Sequence, residues 1–203
     1  MNDTELEVKF YLSDLAGLEK RLVSIGARLQ QARQRELNLR FDTREGSLNA
    51  AHQVLRLRQD QAYHLTFKGP AASGEEVSMR KEIEFEVSDF WTARRFLEAL
   101  GYMVSISYDK YRTTYEFAAT MITLDEMPFG NFVEIEGQDA ETIRAVAVQL
   151  GLNWEARSLM SYLGLFDRIK QKRGLAARNL TFEELAGLRF TAQDLELTPA
   201  DLS

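Results

Sequence analysis

Strict alternation of apolar and polar side chains dominates the first two-thirds of the chain. In Glu5-Leu6-Glu7-Val8-Lys9-Phe10, Leu6, Val8 and Phe10 fall on one face and Glu5, Glu7 and Lys9 on the other. That two-residue period is the signature of a half-buried β-strand. It predicts further strands at 35–42, 54–59, 62–68, 78–87, 107–117, 121–126 and 131–137. Asp60-Gln61 reads as a tight hairpin turn, Gly69-Pro70 with Ser73-Gly74 as a longer loop, and Pro128-Phe129-Gly130-Asn131 as another turn. A helical period intervenes at 14–25, 89–100 and 140–150. Each of these runs follows a candidate N-cap (Ser13 or Asp14, Ser88 or Asp89, Asp139) and precedes a glycine (Gly26, Gly101, Gly151). A fourth helix is expected over about 155–172, and short helical pieces at 182–187 and 191–195. The expected division is therefore a main domain, 1–173, and a short helical C-terminal extension, 174–203. The fold class is α+β: a mostly antiparallel sheet whose apolar face is covered by helices.

The polar face is unusual. A solvent-facing strand normally mixes Thr, Ser, Lys, Glu and Gln. Here it carries Glu5, Glu7 and Lys9; Arg56 and Arg58; Lys68; Arg80, Glu82 and Glu84; Lys110 and Arg112; Asp125; Glu134 and Glu136. Any one of these groups fits a wet face laced with surface salt bridges. Taken together they fit it poorly, because an open face has no need of so much arginine, a residue suited to bidentate contact with phosphate or carboxylate. Eight strands closed into a barrel with the apolar face outward would place these charges in the lumen. Such a lumen is stable only when filled with water, metal ions and a polyanion.

Composition narrows the chemistry. The 203 residues include no Cys and two His, His52 and His64, with 31 acids and 25 bases for a net charge of −6. Disulfide scaffolds, thiolate zinc sites, iron–sulfur clusters and cysteine nucleophiles are excluded. The acidic balance argues against a nucleic-acid coat or an anionic-membrane binder. No apolar stretch approaches 18 residues, and Met1-Asn2-Asp3-Thr4-Glu5 has neither a basic nor an apolar leader character, so a cytoplasmic location is expected. What remains is carboxylates, Lys and Arg. Carboxylates spaced i, i+2 on neighbouring strands suit a hard divalent cation, Mg²⁺ or Mn²⁺, and the facing cations suit phosphate oxygens. That combination is the usual kit for phosphoryl transfer.

Several segments resemble, in order, the CYTH superfamily, or triphosphate tunnel metalloenzymes. Glu5-Leu6-Glu7-Val8-Lys9 is similar to its ExExK signature. Asn38-Leu39-Arg40-Phe41-Asp42-Thr43, Val54-Leu55-Arg56-Leu57-Arg58, Leu65-Thr66-Phe67-Lys68-Gly69-Pro70 and Arg80-Lys81-Glu82-Ile83-Glu84 are similar to successive strands. Lys110-Tyr111-Arg112, Leu124-Asp125, Gly130-Asn131-Phe132-Val133-Glu134-Ile135-Glu136 and Ser161-Tyr162 continue the series, and the likeness covers roughly residues 5 to 166. It implies an eight-stranded antiparallel β-barrel forming a hydrophilic tunnel, with helices outside. It also implies triphosphate binding by Lys9, Arg56, Arg58, Lys68, Lys110 and Arg112, with either Arg80 or Lys81 as a further cation. Alternation favours Arg80. The implied metal ligands are Glu5, Glu7, Asp125, Glu134 and Glu136, with Glu82 and Glu84 as further tunnel carboxylates. Glu5, Glu7, Lys9, Glu82 and Glu84 are the candidate catalytic set.

Three departures weigh on the reaction. Arg40 stands where the family places an aromatic. The His-Phe pair that precedes ExExK in the cyclase branch is absent, which favours a triphosphatase. Val54 stands where vertebrate thiamine triphosphatases place a Trp. The expected function is divalent-metal-dependent hydrolysis of inorganic tripolyphosphate or an organic triphosphate such as thiamine triphosphate. A class IV-type adenylyl cyclase is the alternative, and a non-catalytic polyphosphate or nucleotide binder comes third. The expected partner is a triphosphate-containing small molecule, with neither nucleic acid nor membrane. A second copy of the chain is a candidate partner for the extension. His52 is expected at the surface, Trp91 and Trp154 in helix packing, and the basic run at 168–173 on a solvated helix end.

Overall fold

The computed structural model describes residues 4–71 and 76–202, except the side chains of Thr4 and Glu5. The strands are β1 (Thr4–Leu12), β2 (Arg28–Asp42), β3 (Val54–Gln59), β4 (Tyr63–Lys68), β5 (Ser78–Glu86), β6 (Met103–Phe117), β7 (Thr120–Met127), β8 (Gly130–Gly137) and the two-residue β9 (Arg157–Ser158). The helices are α1 (Leu15–Ser24), α2 (Ser47–Ala50), α3 (Phe90–Ala99), α4 (Ala140–Gln149), α5 (Tyr162–Arg173) and α6 (Ala192–Leu195).

The strand order is β5-β4-β3-β2-β6-β7-β8-β1-β9, all antiparallel, and a further β5–β1 pairing closes the first eight into a ring. Closure matters chemically. With Glu5 opposite Arg80, Glu7 opposite Glu136 and Lys9 opposite Glu134, one parity of every strand points into the ring and the other outward. The outward parity is mostly apolar and much of it lies under helices, while Ile83 and Phe85 of β5 stay exposed. Val8, Phe10, Ile122, Leu124, Val133 and Ile135 pack against Leu18 and Leu22 of α1 and Ile143, Val146 and Ala147 of α4. Leu39, Phe41 and Leu57 pack against Phe90 and Leu97 of α3. Asp14, Asp89 and Asp139 cap these three helices by accepting a backbone N–H from the first turn.

Two differences from the sequence reading have clear causes. β2 and β6 are each 15 residues long, because 28–34 and 103–106 extend the ladder, with register shifts that break their alternation. The fourth helix begins at Tyr162 rather than near 155. Trp154–Ala156 is a 3₁₀ turn, and Arg157–Ser158 is extended and pairs with β1. Trp154 is buried against Phe10, as helix-side packing predicts, whereas Trp91 is 59% exposed.

The extension packs on the ring and on α5. Leu180, Leu185 and Leu195 are buried with Phe129, Phe132, Leu165, Phe166 and Ile169. Asp109 N donates to Leu180 O and Leu180 N donates to Ser107 O, so the segment bridges to β6, and the fully buried Asp109 carboxylate accepts from Phe182 N and is paired with Arg35. The basic end of α5 is taken up by this segment: Lys172 donates to Gln193 O and Arg173 pairs with Asp194 at 3.2 Å.

Candidate active site: a charged cavity inside the strand ring

The inward side chains surround a cavity of about 380 Å³. β1 contributes Glu7 and Lys9, β3 Arg56 and Arg58, β4 Lys68, β5 Arg80, Glu82 and Glu84, β6 Lys110 and Arg112, and β8 Glu134 and Glu136. Arg80 lines the cavity while Lys81 is exposed. The Glu5 side chain lies outside the described residues. Asp125 lies behind the wall rather than on it.

On the β1–β6–β7–β8 side the charges form one buried network. Lys9 Nζ is 2.6 Å from Glu134, and Lys110 Nζ is 3.0 Å from Asp125 and 3.7 Å from Glu36. Arg112 is bidentate to Asp125 and also reaches Glu134. Tyr162 at the start of α5 donates its hydroxyl to Asp125 at 2.8 Å, and its ring lies 4.5 Å from Lys9 Nζ. Asp125, 0% exposed, is thus held by Lys110, Arg112 and Tyr162. Burial works to raise the Glu134 and Glu36 carboxyls. For Glu134 the opposing cations are first Lys9, then Arg112 and Lys110, and they hold it well below the usual range. For Glu36 they are Lys110, Arg112, Arg58 and Arg56, and they hold it at about 2.

The β3–β4–β5 side is different. Lys68 sits 2.8 Å from Glu82, and Arg58 2.9 Å from Glu84, which also accepts from Thr66 at 2.6 Å. His64 lies 3.6 Å from both Asp60 and Glu84, behind the cavity wall. Arg56 Nε and Arg80 Nε are buried and have no hydrogen-bond acceptor among the described residues. Buried donors without acceptors are costly, and both residues line a space an anion can fill.

Sequence reasoning left out Glu36, Asn38, Tyr108 and Tyr162. Glu36 is 1% exposed and Asn38 0%, both among the inward residues of β2. Their parity with Arg40 was available as a signal. Tyr162 had none beyond its place beside Ser161, because helical spacing does not say which ring interior a first turn will enter.

The chemistry of the donor set suits a hard cation. Glu7, Glu134 and Glu136 supply only oxygen, from adjacent strands, and Glu7 and Glu136 are register partners. Among the described residues no three acids are already gathered as a metal cluster, so a bound ion would draw these together.

The CYTH domain profile matches residues 3–153. The chain belongs to the CYTH domain family. Solved structures agree in fold. A proposed adenylate cyclase from Vibrio parahaemolyticus is 22% identical, with a TM-score of 0.74 over 82% of this chain and 99% of that one. A conserved hypothetical protein from Pyrococcus furiosus is 26% identical, with a TM-score of 0.66 over 78% and 98%. A proposed adenylyl cyclase from Hippeastrum, described as having a dominant triphosphatase activity, is 20% identical with a TM-score of 0.59 over 80% and 95%. No curated protein matches the chain. Among the described residues no helix is long and apolar enough to cross a membrane.

Proposed function

We propose that this CYTH protein hydrolyses a triphosphate, inorganic tripolyphosphate or an organic ester such as thiamine triphosphate, with Mg²⁺ or Mn²⁺ bound in the ring interior. The observation that carries the reading is the division of the cavity. Unsatisfied guanidinium donors of Arg56 and Arg80 lie on one side, and the carboxylates Glu7, Glu134 and Glu136 on the other. The dominant triphosphatase activity of the Hippeastrum relative supports it.

In this reading Arg56, Arg58, Lys68 and Arg80 bind and orient the phosphate chain, and Lys110 and Arg112 neutralise charge from the opposite wall. Lys9 both holds Glu134 and reaches the same space. Glu82 and Glu84 align Lys68, Arg56 and Arg58 and are candidates to accept the proton of the attacking water. The metal is assigned to Glu7, Glu134 and Glu136, joined by Glu5, and supplies charge neutralisation and an acidified water. Asp125 could join them only by releasing Lys110, Arg112 or Tyr162. We place the protein in the cytoplasm and leave nucleic acid and membranes outside its partners, on its acidic composition.

Product analysis over tripolyphosphate, thiamine triphosphate and ATP, each with Mg²⁺ and Mn²⁺, tests the reaction. Release of orthophosphate supports hydrolysis. Cyclic AMP with pyrophosphate supports the cyclase reading that the Vibrio relative suggests. Glu7→Gln tests the site: turnover should fall by about 100-fold, as when one preorganised transition-state contact is removed, with the melting temperature retained. Unchanged turnover removes Glu7 from the mechanism.

A further inference from the structure

A second cavity, of about 360 Å³, adjoins the first, and Arg40 and Leu163 line both. Arg40 is the register partner of Arg56 on β3. Its charge is disfavoured first by burial and further by Arg56 and Arg80, against the opposing influence of Tyr108 and, last, of Asp42. No carboxylate comes within ion-pair distance of its guanidinium among the described residues. A cation so placed gains more from an incoming anion than one already paired.

The walls of the second cavity say which anion. Its two acids are already engaged. Asp42 accepts the backbone N–H groups of Thr43, Leu48 and Asn49 at 2.7, 2.9 and 3.0 Å, and Asp167 pairs with Lys170 at 2.7 Å. Its other cation, Arg44, is exposed. Neither Tyr nor Trp lines it, and Phe41 is committed to the core under α3. The cavity therefore offers positive charge and no free aromatic face on which a nucleobase or thiazole ring could stack.

We propose that Arg40 forms a subsite for a fourth phosphoryl group, so that the substrate class is a linear inorganic polyphosphate longer than tripolyphosphate, spanning both cavities. This rests on the reading that the first cavity holds three phosphoryl groups. The reaction is otherwise the same: water attacks the terminal phosphorus, its bridging P–O bond breaks, and orthophosphate, a chain one unit shorter and a proton leave.

The test compares inorganic tetrapolyphosphate with tripolyphosphate in the wild-type protein, Arg40→Gln and Arg40→Lys. In Arg40→Gln the ratio of kcat/KM for the longer over the shorter chain should fall about ten-fold, the size of one lost charge-assisted hydrogen bond. Arg40→Lys should retain part of it. An unchanged ratio overturns the inference, as does a loss confined to ATP or thiamine triphosphate, which would assign the second cavity to an organic group. If the wild-type protein hydrolyses neither chain, the inorganic form of the proposed function fails and only the organic triphosphate remains. Calorimetric binding then still decides Arg40: a wild-type preference for the longer chain that Arg40→Gln abolishes supports the subsite, and equal binding by both proteins overturns it. Arg40→Gln should melt no lower than the parent, since it removes an unpaired cation.

Discussion

Tyr162 Oη donates to Asp125 Oδ2 at 2.8 Å, joining the first turn of α5 to the buried charge network of the ring interior. The contact carries the apolar core shared by α5, the extension and Phe132 of β8 into the charged interior of the ring. Tyr162→Phe keeps the ring over Lys9 and removes only the hydroxyl. Because Asp125 is fully buried, the variant should lose about 1–3 kcal/mol of stability, read as a lower urea midpoint. An unchanged midpoint would mean that Lys110 and Arg112 satisfy Asp125 without the hydroxyl.

Acid should loosen the network at a definite place. Glu36 falls from 4.5 to about 2 on folding, so its stabilising contribution is complete above 4.5 and is lost as the pH drops from there towards 2. The shift corresponds to roughly 3 kcal/mol at neutral pH by the usual 1.36 kcal/mol per unit. Denaturant midpoints measured between pH 7 and pH 3 should decline most steeply below 4.5. Glu36→Gln should start lower and show a shallower decline. Parallel curves would assign the acid sensitivity to other groups, Glu134 first.

Arg80→Met removes a cavity cation whose buried Nε has no acceptor among the described residues. Its stability should be unchanged or higher, while KM for tripolyphosphate rises about ten-fold, the size of one lost charge-assisted hydrogen bond. Steady-state kinetics beside a thermal melt separates the two effects. Arg112→Met should behave otherwise, because it breaks bonds to Asp125 and Glu134 and lowers the melt as well.

Dialysis against EDTA should abolish phosphate release, and Mg²⁺ or Mn²⁺ should restore it. Activity that survives chelation would remove the carboxylates from metal binding and leave the Lys and Arg side chains as the whole of the phosphate site.

Truncation after Arg173 should leave an unstable protein. It uncovers the surface that buries Leu180, Leu185 and Leu195, each contributing roughly 1.5–3 kcal/mol by apolar burial, and it leaves the buried Asp109 without the Phe182 N–H. A truncated chain with an undiminished cooperative melt would show that the ring and α5 stand alone.

Much of the site was legible because strand alternation is a local property. The 5–10 segment states which side chains share a face, and each of Glu7, Lys9, Arg56, Arg58, Lys68, Arg80, Glu82, Glu84, Lys110, Arg112, Glu134 and Glu136 lines the cavity by that rule. The rule weakens where register shifts interrupt the β2–β6 ladder, which is why the beginnings of both long strands were missed. It says nothing about partners. Alternation gives Asp125 the parity of a cavity carboxylate, while the register opposite Arg112 and the entry of Tyr162 turn it into an anchor for cations.

The sequence by itself determined the two faces of each strand, the helix caps, the oxygen-only chemistry and the family. Each depends on residue type at short, fixed spacing. Only the tertiary structure decided that β5 meets β1 and closes the ring, that Lys110, Arg112 and Glu134 hold one another, that Arg56 leans on Glu84, and that Arg40 has no carboxylate within ion-pair distance among the described residues. Those outcomes depend on which strand lies beside which. Ion pairing is settled over a few ångströms between residues as far apart as Arg112 and Glu134, and no local pattern encodes that distance.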